Sequence, residues 1–207
     1  MQILKEDIRR SILTVARKEF AEKGYAKASM RHIASMVGVR VGNLYNYFAS
    51  KDELFRAILS PVIDVLYTML SNHHTDQNVK SMLDEDYLAR SVREYCSLLE
   101  GHRTLMKILL FKAQGSSLEH FKSEFTDRAT EQVRQWIKCN EEANKDMRIN
   151  ISDFMIHLHT VGMFTMMEEI LMHKIKQKDL QQVIDEYVKI EIFGWQRMFQ
   201  TEGENSK

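Results

Sequence analysis

Positions 40 to 51 read Arg40-Val41-Gly42-Asn43-Leu44-Tyr45-Asn46-Tyr47-Phe48-Ala49-Ser50-Lys51. The segment holds two carboxamides with a phenol between them, a guanidinium ahead of them and an ammonium behind. At about 100° per helical residue, Leu44, Phe48 and Val41 share one face with Tyr47 beside them. Gly42, Asn43 and Asn46 fall on the opposite face, with Tyr45 at its edge. That outward face suits a major groove. Asn bonds adenine through two hydrogen bonds, Arg bonds guanine or a phosphate, and Gly42 permits close approach. Lys51 would set an ammonium beside the free N–H groups of a helix start, which suits a phosphate. An ordinary solvated helix face is the alternative, and the charge distribution weighs against it. Residues 1–51 carry ten Lys/Arg and four Asp/Glu, whereas the remainder carries 19 and 25. A chain of zero net charge is thus split into a basic quarter at +6 and an acidic body at −6, as expected if one end meets a polyanion. Arg9, Arg10, Arg17 and Lys18 read as a solvated basic face.

Helices must position these groups, because apolar residues recur at helical spacing almost throughout and no stretch alternates with period two. Ile8, Ile12, Ala16 and Phe20 define a first helix ending at Gly24. Met30, Ile33, Ala34 and Val37 define a second, capped by Ser29 and closed by Gly38. A third short helix is expected from about Arg40 to Phe48. The two short helices around a Gly-containing turn form a helix-turn-helix pattern. Ser50-Lys51-Asp52-Glu53 is a capping box that opens a long helix with Leu54, Ile58, Val65 and Met69. Pro61 lies inside it, so a kink or break near 57–61 is expected. Leu88 to Leu99 form a helix closed by Gly101, and Leu105 to Phe111 a shorter one ending near Gly115. Ser116 to Glu119 repeats the capping-box spacing before a helix with Leu118, Phe121, Phe125 and Trp136. Two more are expected over 152–175 and 179–200, and the tail TEGENSK should fray. The fold class is all-α: about nine helices, with a three-helix DNA-binding domain over 1–52 and a helical body over 53–207.

The segment from Ile12 to Phe55, with FAEKGY, SMRHIASMVGV, GNLYNYF and SKDELF, resembles the DNA-binding region of the tetracycline-repressor (TetR) family. The resemblance implies phosphate contacts from Ser29, Tyr45 and Lys51, and base or groove contacts from Arg31, Arg40, Val41, Asn43 and Asn46. It also implies a C-terminal bundle that dimerises through its last two helices and encloses a ligand cavity. Two positions depart from the pattern. Arg40 stands where the family often has Ser or Thr, which removes a hydroxyl cap worth ~0.5–2 kcal/mol, and Val41 stands where a polar residue is common. The operator sequence therefore does not transfer from relatives.

The body carries fewer signals. The expected helix at 152–175 is apolar nearly all round and so needs more than one buried face. Phe154, Leu158, Val161 and Leu171 on it, with Leu180, Ile184, Tyr187 and Trp195 on the last helix, are candidates for a two-fold seam. A bulky core is the alternative reading. Tyr67, Tyr95, Cys96, Met106, Phe111, Phe125 and Met163 are candidates for a pocket, although the thirteen methionines also serve as core filler. Asp153/His157 and Glu169/His173 have i, i+4 spacing but read as surface or capping pairs rather than a metal site. Cys96 and Cys139 lack metal or disulfide spacing and fit a reducing cytosol. The N-terminus has no apolar signal core, and the apolar stretch from Val161 to Met172 falls short of the ~20 residues a bilayer needs. No nucleotide, flavin, hydrolase or zinc-protease motif is present. The expectation is a cytoplasmic, non-enzymatic homodimer without cofactor or membrane partner: a repressor of a pseudo-palindromic DNA operator, released by a small-molecule effector. An activator, or a helical ligand-binding or scaffold protein whose motif no longer reads DNA, remains open at this level.

Overall fold

The computed structural model describes residues 2–74, 85–143 and 149–199. Among them the chain forms nine helices and no strand: α1 (Gln2–Lys27), α2 (Met30–Val37), α3 (Val41–Tyr45), α4 (Lys51–His73), α5 (Glu85–Gly101), α6 (Arg103–Phe111), α7 (Phe121–Ala143), α8 (Asp153–Met172) and α9 (Gln177–Phe199). Two compact units result. The first joins the chain up to Val65 to His102–Phe121, and the second joins Leu66–Gly101 to the residues from Lys122 onward. The tail TEGENSK lies outside the described residues.

In the first unit α1 packs on α2 and α6, and α2 on α3. Ile12, Ala16 and Phe20 of α1, Ile33 of α2, Leu44 and Phe48 are buried with Leu54 and Phe55 of α4. The Phe20 ring meets Phe55 edge-on at 4.9 Å, and Tyr25 meets the same ring at 5.0 Å. Gly24 breaks α1 with φ +72°, and the following Tyr25 N–H donates to the Lys112 carbonyl at 2.8 Å. A helix sequentially remote from the motif is thereby tied to it. Gly38 takes the left-handed conformation that closes α2, its N–H reaching the Ala34 and Ser35 carbonyls.

The capping box at α4 forms as expected: Ser50 Oγ accepts from the Glu53 N–H at 3.0 Å, and the Glu53 carboxylate accepts from the Ala49 N–H at 2.6 Å. Of the kink or break expected near 57–61, the break does not occur, since the helix runs on through Pro61 to His73. Proline lacks the N–H that would serve the Ala57 carbonyl, and the Ser60 hydroxyl donates to that carbonyl instead, at 3.3 Å. By length and composition α4 matches a membrane-crossing helix, but Leu54, Phe55, Ile58, Leu59, Val62 and Leu66 are buried against protein. At Ser116 the capping spacing builds a turn rather than a helix start. Glu119 accepts from the Gly115 N–H, and α7 begins only at Phe121.

In the second unit α5 packs on α9. Trp136, Ile137, Ile149, Ile151 and Ile156 form one buried cluster. Gly162 of α8 allows close approach to α9, because a Cβ there would sit 3.1 Å from the Tyr187 hydroxyl oxygen.

Candidate nucleic-acid interface

Leu44 is fully buried and Phe48 nearly so, and these two fix the rotation of α3. Arg40, Gly42, Asn43, Tyr45 and Asn46 are all exposed in consequence. Gly42 has open space where a Cβ would stand. The Asn46 amide lies 3.5 Å from the Asn43 carboxamide oxygen, so the two side chains present one continuous polar edge. Val41, placed with the core by the helical wheel, is 36% exposed. The helix is a single turn of five residues, and its first position projects past the core that Leu44 and Phe48 fill. Tyr47 is half-buried, between packing and exposure. Arg40 occupies the N-cap position and makes no side-chain cap, so its guanidinium is not committed to the helix start.

Ser29 caps α2 by accepting from the His32 N–H at 3.4 Å, and Arg31 is exposed in the first turn. Behind them stands Glu19, a buried carboxylate that pattern reading passed over. It accepts from Lys23 Nζ at 3.0 Å and from the Ser29 N–H at 3.2 Å, with His32 Nε2 at 3.5 Å. Its signal was available: Glu19 continues the apolar stripe of Ile12 and Ala16 at i+7 and i+3. Lys51 is more engaged than its sequence position suggested. Its ammonium donates to the Tyr25 carbonyl at 2.8 Å and the Ala28 carbonyl at 3.4 Å, and lies 4.3 Å from the centre of the Tyr25 ring. With three N–H donors, one is left without a partner among the described residues.

The second unit holds a cavity of about 120 Å³. Of the expected pocket residues, Tyr95, Phe125 and Met163 line it. Tyr67 does not, although its ring packs 5.1 Å from Phe125. Cys96 is half-buried outside the lining, its thiol pushed up by burial and by Glu100. Met106 and Phe111 belong to α6 of the first unit, the one buried and the other exposed. Helical spacing marks apolar residues but does not say which of two cores receives them.

At one wall of the cavity, His159 Nδ1 stands 2.5 Å from the Glu191 carboxylate. That hydrogen bond holds Glu191 below the usual carboxylate range against the opposing effect of burial, with Tyr187 and Trp195 as further donors. At another, His73 bridges the Tyr87 hydroxyl (2.8 Å) and Glu94 (2.6 Å). Burial pushes Tyr87 up to about 12. The pairs weighed for metal binding are otherwise engaged: Asp153 bonds Arg134, His157 leans toward Asp127 at 3.7 Å, and Glu169 and His173 pair with each other on the surface.

The residues expected at a seam divide by exposure. Leu171, Leu180 and Ile184 are buried within the second unit, whereas Phe154 is 70% exposed and Leu158 is exposed. Val161, Tyr187 and Trp195 are half-buried. The apolar outer face instead continues through Met155, Met172, Ile190 and Phe193, with Ile190 72% exposed.

The first unit thus carries a helix-turn-helix with an exposed polar edge tipped by a cation, and the second unit holds a largely apolar cavity. Residues 12–58 match the family described as "Bacterial regulatory proteins, tetR family". The chain is 27% identical over 130 residues to the HTH-type transcriptional repressor KstR2 of Mycobacterium tuberculosis, a match covering 62% of each chain. It superposes on a putative TetR-family regulator from Syntrophomonas wolfei with a TM-score of 0.64 at 19% identity, over 92% of this chain and 97% of that one. It also superposes on the regulator FadR of Bacillus subtilis, solved with stearoyl-CoA, with a TM-score of 0.63 at 17% identity, over 89% and 98% of the two chains. Residues 12–58 thus match the DNA-binding region of the tetR family, and the chain as a whole shares the all-helical fold of these solved regulators.

Proposed function

We propose that the protein is a ligand-responsive transcriptional repressor that binds a pseudo-palindromic operator as a homodimer. One observation carries the reading: the exposed edge of Arg40, Gly42, Asn43 and Asn46 on a helix whose opposite side is locked by Leu44 and Phe48. Such an edge reads bases, while the Ser29 and Arg31 end of α2, Tyr45 and the remaining N–H of Lys51 hold phosphates and set register. Two copies related by a two-fold axis place their reading helices in successive major grooves, about one helical turn or a multiple apart. The exposed apolar residues of α8 and α9, Phe154, Leu158, Ile190 and Phe193 among them, supply the self-complementary surface that such an axis requires. The effector occupies the cavity of the second unit and acts through α4, whose residues fall in both units. It releases DNA only to the extent that it binds the DNA-incompetent state more tightly.

Gel-shift titration against DNA upstream of the protein's own gene tests the reading. Asn43→Ala and Asn46→Ala each remove a carboxamide that bonds a base edge, and each is expected to weaken specific binding by ~1–3 kcal/mol while non-specific binding is kept. Unchanged operator preference in both variants would show that this edge does not read DNA.

A further inference from the structure

The lining of the second unit's cavity specifies the kind of molecule it accepts. Most of it is apolar, including Leu66, Met69, Phe125, Trp136, Phe164 and Met167. The polar groups at its walls are largely spoken for. Ser91 donates to the Tyr87 carbonyl and Thr160 to the Ile156 carbonyl, His73 lies between Tyr87 and Glu94, and His159 holds Glu191. Two groups differ. The Tyr95 hydroxyl, on a side chain only 7% exposed, has no hydrogen-bond partner among the described residues. His74 Nδ1 lies 2.8 Å from the Leu70 carbonyl, which only accepts. Nδ1 therefore carries the proton, and Nε2 is an acceptor without a hydrogen-bond partner among the described residues. Burial pulls His74 down to about 4, so the ring is neutral at pH 7.

Charge narrows the choice further. Among the described residues no Lys or Arg lines the cavity, so an anionic ligand would enter a desolvated site with no counter-ion from them. Among the described lining residues Glu191 is the only carboxylate, and it already takes hydrogen bonds from His159, Tyr187 and Trp195, which leaves little to hold a cation. The volume, about 120 Å³, approaches the ~150 Å³ of an apolar cavity that takes up benzene.

We propose that this cavity binds a compact, uncharged ring compound bearing a hydroxyl group, with His74 Nε2 accepting from that hydroxyl and Tyr95 as a second polar anchor. The inference rests on the ligand-responsive reading above and names the chemical class of its effector. It also separates this chain from the regulator solved with stearoyl-CoA, a ligand whose coenzyme A phosphates are anionic.

Calorimetric titration of the full chain with p-cresol, toluene, benzoate and stearoyl-CoA tests it. p-Cresol is expected to bind at least tenfold more tightly than toluene, with benzoate and stearoyl-CoA undetected. His74→Phe and Tyr95→Phe are each expected to lower p-cresol affinity about tenfold, the usual cost of one hydrogen bond. Toluene affinity should stay as it was, which also verifies that the variants fold. Equal binding of p-cresol and toluene overturns the proposal, as does tighter binding of benzoate or stearoyl-CoA, failure of all four probes, or a p-cresol preference that survives both substitutions. A gel shift run alongside separates the two readings. If p-cresol binds yet leaves the operator complex intact, the cavity chemistry stands and ligand control of DNA binding falls. If stearoyl-CoA alone releases DNA, ligand control stands and this inference falls.

Discussion

Lys51, proposed above to hold a phosphate, also staples the fold. Its ammonium joins the Tyr25 and Ala28 carbonyls, where the α1 turn ends, to the first turn of α4. Lys51→Ala is therefore expected to lower the stability of the first unit by ~1–3 kcal/mol, the range for hydrogen bonds from charged groups. It should also weaken operator and non-specific binding alike and flatten the salt slope. Urea melts and gel shifts at several salt concentrations measure the two effects separately. His74 makes a different prediction. Its folded pKa of about 4 lies below the ordinary 6.5, chiefly through burial. The unfolded chain then binds more protons between those values, so stability falls as pH drops from about 6.5 toward 4, by up to ~3 kcal/mol from this group. Glu191, also depressed, adds its loss at lower pH still, as its carboxylate protonates. Thermal melts from pH 7 to 4 should therefore slope less steeply for His74→Phe than for the native chain.

Helix ends decide where the exposed polar edge of α3 points. Gly38 closes α2 at φ +80° with open space around it, so a side chain there meets no clash but does meet backbone strain. Gly38→Ala is expected to cost ~1–2 kcal/mol. Because the same residue sets the turn from α2 to α3, operator affinity should drop beyond what the loss of stability explains. A urea melt and a gel shift on one preparation check both. The Pro61 result belongs to this scale too. A proline in mid-helix reads as a break when only the missing N–H is considered, yet the neighbouring Ser60 hydroxyl serves the Ala57 carbonyl and α4 continues. At Ser116 the opposite happens: a motif identical in spacing to the one at Ser50 closes a turn through the Gly115 N–H.

For the whole molecule the proposed dimer is the decisive quantity. Phe154, Leu158, Ile190 and Phe193 expose large apolar side chains on two helices of one unit, and a two-fold axis repeats every substitution on both sides of the interface. Ile190→Lys combined with Phe193→Glu is expected to give a monomer in sedimentation at micromolar concentration. Operator affinity should fall with it, because one reading helix then contacts one half-site. A dimer that persists unchanged would place the interface on another surface.

The residues around position 43 are legible in sequence because their environment is local. Leu44 and Phe48 fix a single helical turn, and the opposite face follows from about 100° per residue. The Ser29 and Ser50 caps and the Gly38 stop are local for the same reason. What the chain order does not carry is which core each apolar helix enters. Met106 and Leu171 have the same periodic signature as their neighbours, but the one is buried in the first unit with the helix-turn-helix and the other in the second. Long-range packing makes that assignment, just as it brings His74, Tyr95 and Glu191 from three separate segments to one cavity. Periodicity states that a side chain must be buried, and only the folded arrangement supplies the partner that buries it.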